Sequence, residues 1–342
     1  MLYSLIFIGF GSVGRALARI LLRKQSVLAS QHGVEFIVTG IVTNRHGRAI
    51  NPAGIDLESA LAQVEKGLSL GGLSAVPAPS DTLELIRACP GDVLFENIPT
   101  NHQTGQPAID YLRTALECGM HAITANKGPV VHGWRELSAL AQQKGKRFLF
   151  ESSVMDGAPI FSLFRNALPA IDLRGFSGIL NSTTNLILDH LAEGETLEEA
   201  VRYCQAVGIA ETDPSADVDG WDAAIKVAAL VNVLMGIPLH PEDVERTGIR
   251  QITVEKITEA REAGERWKLV CSARRSQDGV VARVAPQRLG PDSPFFSISG
   301  TSSYIQFESD VLPGLGIVES NPTPETTAYG LLADLIHAVR GS

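Results

Sequence analysis

The sequence lacks the features that mark several large classes of protein. Its four cysteines are isolated, because none belongs to a Cys-x-x-Cys pair and no histidine cluster accompanies them. This spacing argues against a zinc site or a disulfide framework and favours a reducing, cytoplasmic setting. Basic residues are scarce, with 29 Lys and Arg against 38 Asp and Glu and a formal net charge of −9. Neither nucleic acid nor an anionic membrane is therefore the expected partner.

Long hydrophobic runs are also missing. The apolar start, residues 2–10, has no basic leader and continues into a glycine motif instead of a cleavage site. The most apolar later stretch, residues 223–239, is interrupted by Lys226, Asn232 and Pro238, so we expect no membrane span. A chain of 342 residues that is 44% hydrophobic and 20% charged suits a globular enzyme of two domains.

A glycine turn follows the first apolar run. Residues 5–8 predict a strand, residues 9–14 read Gly-Phe-Gly-Ser-Val-Gly, and residues 15–22 have helical spacing. In this setting Gly9 permits a tight turn, Gly11 lets the backbone approach a pyrophosphate, and Gly14 lets the helix pack on the strand. The alternative is a tight turn without a ligand. The predicted cofactor-binding residues of this turn are Gly9, Gly11, Ser12, Val13 and Gly14.

The end of the second predicted strand, residues 35–42, indicates which dinucleotide binds. NAD-selective folds usually place an acid there to bind the ribose 2′-hydroxyl. Here residues 43–48 contain no acid, and they contain Arg45 and Arg48. A guanidinium suits a 2′-phosphate, so Arg45 and NADP are predicted, with NAD as the alternative. In the other interpretation both arginines are solvated loop charges.

Two later strand ends carry further candidates. Residues 92–97 predict a strand that ends in a turn with Pro99 and Thr100, and residues 121–124 predict one that ends near Lys127. Ligands of a doubly wound sheet lie beyond the carboxyl ends of its strands. We therefore expect Pro99 and Thr100 near the cofactor, while Lys127 is either a site residue or a surface charge.

The acid-rich segment 208–226 contains five carboxylates and ends in an apolar helical pattern. Asp222 and Lys226 are four residues apart, so they share one helix face. A carboxylate beside an ammonium suits amino-acid binding and proton movement. A calcium loop is excluded, since Ser215 and Lys226 stand where such a loop needs its first Asp and its Glu. A solvated acidic loop is the alternative.

The polar run 181–185 either caps a helix or binds a small polar substrate.

With these motifs the chain resembles homoserine dehydrogenases over nearly its whole length. The resemblance rests on residues 9–14, 124–127, 178–185 and 208–226, and the tail 321–334 is similar to the family's closing helix. It implies an α/β fold: a Rossmann-like nucleotide-binding domain of residues 1–150 plus 320–342, and an α+β substrate-binding and dimerisation domain of residues 151–319. The C-terminal helix is expected to return to the first domain.

The resemblance implies NAD(P)-dependent interconversion of L-aspartate 4-semialdehyde and L-homoserine, in threonine and methionine biosynthesis. Lys226 and Lys127 match the family's active-site lysines, and Asp222 would orient Lys226. Glu211 would bind the substrate's amino group, with Asp217 and Asp222 holding the amino-acid end. The polar run adds two substrate-binding candidates, Asn181 and Thr183. The alternatives are a dehydrogenase of another small amino acid or semialdehyde, and a catalytically silent NADP sensor.

The resemblance further implies a structural monovalent cation, usually Na⁺. Glu151 would bind it together with the backbone carbonyls of Val154, Asp156 and Ala158, although this loop departs from the family's glycine-richer version. A homodimer through the sheet of the second domain is also implied. Because the chain stops soon after the closing helix, a C-terminal regulatory domain is not expected.

Overall fold

The computed structural model describes residues 1–340, so positions 341 and 342 of the predicted first domain lie outside the described residues. Contacts between Cα atoms divide the chain into two compact units. Unit 1 comprises residues 1–160 and the residues from Thr323 onward, and unit 2 comprises residues 161–322. Within the described residues no helix has the length and apolar character that crossing a membrane requires.

The described chain contains twelve strands and twelve α-helices. The strands are β1 (Leu2–Ile8), β2 (Glu35–Val42), β3 (Arg48–Ile50), β4 (Val93–Glu96), β5 (His121–Thr124), β6 (Phe148–Leu149), β7 (Leu173–Ile179), β8 (Glu245–Arg246), β9 (Arg266–Ser276), β10 (Gly279–Leu289), β11 (Ser303–Ser309) and β12 (Leu315–Glu319). The helices are α1 (Ser12–His32), α2 (Leu57–Glu65), α3 (Thr82–Ala88), α4 (Ala108–Glu117), α5 (Lys127–His132), α6 (Trp134–Gln143), α7 (Ser182–Ala192), α8 (Leu197–Ala206), α9 (Ser215–Val218), α10 (Trp221–Leu230), α11 (Val254–Glu262) and α12 (Pro324–Val339).

Unit 1 contains a six-stranded sheet in the order β3-β2-β1-β4-β5-β6. All neighbouring strands are parallel except β3, which pairs antiparallel with β2. The last four residues of β1, Leu5 to Ile8, are buried, because a parallel sheet is covered on both faces. The strand order reverses between β1 and β4, and ligands bind at such a switch point in doubly wound folds. The predicted Rossmann-like domain is confirmed.

The closing helix α12 belongs to unit 1. Leu331 and Leu335 are fully buried in the same hydrophobic core as Leu17 and Leu21 of α1. The chain just beyond the helix is also fixed, since Arg340 donates to a backbone carbonyl of α1 at 3.0 Å. The predicted return of the C-terminal helix to the first domain is therefore confirmed.

Unit 2 is built on a mostly antiparallel sheet in the order β12-β11-β7-β9-β10-β8, in which only β8 runs parallel to its neighbour β10. Helix α10 packs on β9 and β10. Its sequence is rich in small residues, and Ala223, Ala224 and Ala228 are fully buried. Small side chains let the helix lie close to the sheet, which fixes the positions of the polar residues on its other face.

Three local features were not anticipated from the sequence. In the apolar segment 160–168, Leu163–Ala167 forms a π-helical turn, and Pro169 disfavours the helical conformation at the residue before it. The short antiparallel strand β3 was not predicted. The acid-rich segment is not a continuous loop either, since its residues 215–218 form α9, which begins after Pro214.

Candidate active site

The glycine turn between β1 and α1 is constrained on one side and open on the other. Gly9 has φ of 96°, and a β-carbon there would lie 2.6 Å from the carbonyl oxygen of Asn97. A β-carbon at Gly14 would lie 2.6 Å from the carbonyl oxygen of Gly9. At Gly11 a β-carbon would meet no atom within 4 Å. The turn therefore requires glycine at its two ends and leaves space for a ligand in the middle.

The start of α1 suits an anion. Gly11 is its N-cap residue and makes no side-chain capping bond, and the first turn contains no acid. The first backbone N–H groups of a helix have no partner within the helix, and the helix dipole places positive charge there. The N–H groups of Ser12, Val13 and Gly14 can thus bind the phosphates of a dinucleotide.

Asn97 was not predicted as a site residue, and it bears on the fit of a cofactor. Its backbone N–H donates to the carbonyl of Ile8 at 2.8 Å, which holds the residue beside the glycine turn. Both polar atoms of its side-chain amide are buried and have no hydrogen-bond partner in the described chain. A buried polar group without a partner costs about 1–3 kcal/mol. At the switch point of the sheet, such an amide indicates a polar ligand.

A buried network connects the ends of β4 and β5. Glu96 is fully buried and accepts from the Thr124 hydroxyl at 2.6 Å and from the Ile98 N–H at 2.8 Å. Burial raises the pKa of Glu96 to about 7, and these hydrogen bonds partly oppose the rise. Thr124 in turn accepts from the Asn126 N–H at 2.9 Å, and Asn126 caps α5, which begins at Lys127. Glu96, which sequence reasoning missed, thus supports the position of Lys127.

Pro99 and Thr100 lie in the loop that follows β4, as predicted, and the Thr100 hydroxyl has no recorded hydrogen bond among residues 1–340. Lys127 was predicted near the end of β5, and it is the first residue of a short helix. All three residues follow the carboxyl ends of adjacent parallel strands of unit 1.

The two arginines after β2 differ in their surroundings. Thr43 closes the turn between β2 and β3, since its N–H and its hydroxyl donate to the carbonyl of Gly47 at 2.9 and 3.0 Å. Arg48 donates to the carbonyl of Pro79 at 3.0 Å. Arg45 is exposed at the tip of the turn, and in the described part of the chain its guanidinium makes no recorded hydrogen bond or ion pair. Arg45 is therefore the arginine that is available for a phosphate.

The predicted cation loop lies in unit 1. Glu151 is 2% exposed and begins a 3-10 turn. Asp156 has φ of 42°, and its side chain accepts from the Thr327 hydroxyl at 2.6 Å. The carbonyl of Ala158 accepts from an N–H at 2.8 Å, whereas those of Val154 and Asp156 accept no recorded hydrogen bond within residues 1–340. A carbonyl oxygen has two lone pairs, so the carbonyl of Ala158 also keeps one that a cation could use.

Asn181 is the centre of the unit 2 site. Its side-chain oxygen accepts from the N–H and the hydroxyl of Thr184, at 2.7 and 2.8 Å, and so caps α7. Its side-chain nitrogen donates to Asp217 at 2.7 Å and to Asp222 at 2.9 Å. Asn181 is only 3% exposed. One amide therefore joins three helices, α7, α9 and α10.

Lys226 completes this network. Its Nζ lies 3.1 Å from Oδ2 of Asp222, so the prediction that the two residues share a helix face is confirmed. Lys226 also donates to the carbonyl of Leu180 at 2.6 Å. The side chains of Lys226 and Asp222 are each 14% exposed, which shields the pair from solvent but leaves it accessible to a small molecule.

Other predicted substrate residues are less closely connected. Thr183 lies in the first turn of α7, and its hydroxyl approaches the carbonyl of Ile209 at 3.5 Å. Glu211 is exposed in the loop before α9, and in the described residues its side chain has no recorded partner. The structure therefore brings together Asn181, Asp217, Asp222 and Lys226, but it does not bring Glu211 into that set.

Cys271 of β9 lies behind the network and was missed by sequence reasoning. The thiol is fully buried, and burial raises its pKa to about 12. Cys271 pairs with Gly178 of β7 in the sheet, and the charges of Lys226 and Asp222 act on its thiol. A thiol of this kind contributes packing beneath Lys226 and is not a nucleophile.

One group of side chains in the described residues has the spacing of metal ligands, namely His190, Glu193 and Glu195, whose ligand atoms lie within 4.8 Å of one another. His190 Nδ1 already lies 2.9 Å from a carboxylate oxygen of Glu195. The cluster is at the C-terminal end of α7, and Asn181 caps the other end, so it is separate from the network around Asn181.

Comparisons with known proteins cover both units of the chain. The family model "Homoserine dehydrogenase, NAD binding domain" matches residues 9–151, and the model "Homoserine dehydrogenase" matches residues 159–336. The NAD(+)-dependent homoserine dehydrogenase of Pseudomonas canavaninivorans is 37% identical over 339 residues, which cover 98% of this chain and 96% of that protein. The homoserine dehydrogenase of Methanocaldococcus jannaschii is 34% identical and 98% of each chain is covered. A hyperthermophilic archaeal homoserine dehydrogenase in complex with NADPH matches with a TM-score of 0.84 at 28% identity, covering 99% of this chain and 98% of that chain.

Proposed function

The chain belongs to the homoserine dehydrogenase family, and from this premise we infer that it interconverts L-homoserine and L-aspartate 4-semialdehyde with a nicotinamide cofactor. The observation that carries this function is the network of Asn181, Asp217, Asp222 and Lys226 in unit 2. We propose how the residues of each unit contribute.

The charge of the network favours an amino acid. The network contains two carboxylates, Asp217 and Asp222, and one ammonium, Lys226, so the set as a whole has a net negative charge. A partly buried negative charge is stabilised by a cation at hydrogen-bond distance. The substrate's ammonium group supplies such a cation. Glu211 would bind the same group from the loop before α9, and the hydroxyl of Thr183 would contact the polar end of the substrate.

Lys226 is proposed to move the proton. A bound nicotinamide would supply hydride transfer at the carbon that bears the hydroxyl of L-homoserine. The hydroxyl oxygen must then lose a proton, and in the reverse direction it must gain one. Lys226 is held by Asp222 and by the Leu180 carbonyl, so its Nζ is positioned before the substrate arrives. Lys127 is proposed as the second active-site lysine.

The residues of unit 1 fit a dinucleotide. The phosphates would lie at the N-terminus of α1, where backbone N–H groups are uncapped and no acid is present. The buried amide of Asn97 lacks a partner in the described chain and can bind a polar group of the cofactor. Pro99 and Thr100, in the loop after β4, would contact the nicotinamide end.

NADP is the proposed cofactor, because Arg45 is exposed at the tip of the turn after β2 and has no recorded partner within residues 1–340. Titration of the protein with NADPH and with NADH tests this choice. Tighter binding of NADH, or equal binding of NADPH by the Arg45→Ala variant, would contradict it.

A structural Na⁺ ion is proposed in the loop 151–158. Glu151 would supply a buried carboxylate, and the carbonyls of Val154, Asp156 and Ala158 would complete the shell. Hard oxygen donors of this kind suit an alkali cation. Thermal unfolding in NaCl and in choline chloride at equal ionic strength tests the proposal, since a bound ion raises the melting temperature only in Na⁺.

A homodimer through the sheet of unit 2 is also proposed. The sheet ends at β12, which exposes Val318, and β10 exposes Val281. Analytical ultracentrifugation would show the dimer mass, and a concentration-independent monomer would contradict the proposal.

The four cysteines are free thiols, which supports the proposal that the enzyme works in the reducing cytoplasm.

The assay of the function follows reduction of NADP⁺ or NAD⁺ by L-homoserine through the absorbance of the reduced cofactor. A matched control substrate is 4-hydroxybutanoate, which lacks the ammonium group. A charge-assisted hydrogen bond contributes about 1.5–3 kcal/mol, so kcat/KM should be about 10- to 150-fold lower for the control. Equal rates with both substrates would contradict the amino-acid role of the network, and no reduction with either cofactor would contradict the function.

A further inference from the structure

A polar cleft lies in unit 2 where α9 is followed by α10. It has a volume of about 250 Å³. None of its lining residues belongs to the substrate and cofactor sets described above. The residues that matter for its chemistry are Asp219, Trp221, Arg246, Thr247, Arg250 and Gln251.

The guanidinium groups of two arginines in the cleft are held in place, and each has N–H groups that make no bond within residues 1–340. The guanidinium of Arg246 lies 3.7 Å from the centre of the Trp221 ring, and it donates through Nη1 to the carbonyl of Asp219. Arg250 binds both carboxylate oxygens of Asp219, through Nε and, at 3.1 Å, through Nη2. Within residues 1–340, no partner is seen for Nη1 of Arg250. The same holds for Nε and Nη2 of Arg246. Each guanidinium is thus held in place by some of its N–H groups while others remain unused.

The rest of the lining adds donors but no free acid. In the described chain the indole N–H of Trp221, the hydroxyl of Thr247 and the amide of Gln251 also have no recorded hydrogen bond. Asp219 is the only acid that lines the cleft, and Arg250 occupies both of its oxygens. Asp213 acts on the charge of Arg250 more weakly than Asp219 does. The lining residues therefore have two positive charges against one negative charge, and their unused groups are almost all donors.

We propose that this cleft binds a small organic carboxylate. The ligand's carboxylate would accept hydrogen bonds from the unused N–H groups of Arg246 and Arg250. Nε and Nη2 of one guanidinium can donate two parallel N–H···O bonds to a carboxylate, and both are unused in Arg246. Its apolar body would lie against the exposed part of Trp221. The chain as a whole has a net charge of −9, so a donor-rich cleft with a positive lining is a local exception on an acidic protein.

The cleft is mechanically connected to the amino-acid network. A β-carbon at Gly248 would lie 2.3 Å from the carbonyl of Val218, and the N–H of Ile249 donates to that carbonyl at 2.9 Å. The segment that carries both arginines is thus packed on the end of α9. A ligand carboxylate on the unused N–H groups of Arg250 would repel Asp219, which joins α9 to α10 and therefore Asp217 to Asp222. Since exposed ion pairs contribute only about 0–1 kcal/mol, the pair of Arg250 and Asp219 can shift at little cost.

Benzoate is a suitable probe for the cleft, and titration calorimetry on the full chain measures its binding. We expect saturable binding of benzoate, weaker binding of acetate, and at least a tenfold loss of benzoate affinity in Arg250→Gln. Arg274→Gln is the matched control, because Arg274 is an exposed arginine of unit 2 that is paired with Glu308, and it should bind benzoate like the wild type. Arg246→Gln serves as a second variant if Arg250→Gln fails to fold.

Three results would overturn the proposal. They are no saturable heat with benzoate, equal losses in Arg250→Gln and Arg274→Gln, and binding of inorganic phosphate at least as tight as that of benzoate. A separate arm, which rests on the proposed function, measures the KM for L-homoserine. Benzoate should change this KM in the wild type and not in Arg250→Gln. Binding without that change would disprove the connection to the network and leave the binding site itself established.

Discussion

Replacement of Asn181 by alanine is the most informative test of the network. The substitution removes the oxygen that caps α7 and the nitrogen that donates to Asp217 and Asp222. It leaves the two carboxylates without their shared donor. Because Asn181 is 3% exposed, water can replace the lost contacts only in part.

The expected destabilisation follows from these contacts. Loss of an N-cap side chain costs about 1 kcal/mol. Each hydrogen bond to a charged acceptor contributes about 1.5–3 kcal/mol, and the lower end applies here because both carboxylates are only partly buried. The free energy of unfolding should therefore fall by about 4 kcal/mol. The KM for L-homoserine should rise, because the carboxylates that receive the ammonium group are no longer held together.

Urea unfolding followed by tryptophan fluorescence measures this loss, since Trp221 and Trp267 both report on unit 2. The matched control is Thr196→Ala, which removes the cap of α8 in the same unit and touches no site residue. The control should lose only about 1 kcal/mol. If Asn181→Ala loses no more than Thr196→Ala, the bonds to Asp217 and Asp222 contribute nothing and the network is not a structural unit.

Three further predictions concern single side chains. Lys226→Ala should lower kcat by about 10²–10⁴-fold and still bind NADPH, and a near-normal rate would refute its role in proton transfer. Glu211→Ala should mainly raise the KM for L-homoserine, and an unchanged KM would contradict its contact with the amino group. The pKa of Glu96 is raised to about 7 by burial, so the folded state favours the protonated form. Its contribution to stability is present below its ordinary pKa of 4.5 and is lost as the pH rises through about 7. Glutamine cannot lose this contribution. Relative to wild type, the free energy of unfolding of Glu96→Gln should therefore rise by up to about 3 kcal/mol between pH 4.5 and about pH 7. If the difference in melting temperature between the two proteins stays constant across this range, the carboxyl does not titrate there.

Sequence patterns predicted the parallel sheet of unit 1 well where apolar runs are long and end in turns. Strands β2 and β5 have the predicted bounds, Glu35–Val42 and His121–Thr124. Short elements were missed, because the three residues of β3 and the four of α9 give no periodic signal. The helix that begins at Lys127 was not predicted, because the capping bond that Asn126 accepts from the Gly128 N–H depends on a local geometry that composition does not reveal.

The candidate site shows the same limit. Spacing alone predicted the pair of Asp222 and Lys226, since the two residues are neighbours on one helix. The bonds from Asn181 to Asp217 and Asp222 span 36 and 41 residues, so no local pattern could predict them. Glu96 gave no signal either, because its burial depends on Thr124 and the neighbouring strand.

The sequence left open whether the polar run 181–185 caps a helix or binds the substrate, and the geometry shows that these are not alternatives. The oxygen of Asn181 performs the cap, and its nitrogen organises the carboxylates that would receive the substrate. Among the usual capping residues, Ser, Thr, Asp and Asn, only Asn combines an acceptor with two donor hydrogens. One hydrogen is needed for each of Asp217 and Asp222. Asn181→Asp should therefore keep the cap and most of the stability that the cap provides. It should raise the KM for L-homoserine, because a third carboxylate would repel Asp217 and Asp222 where the amide now holds them together.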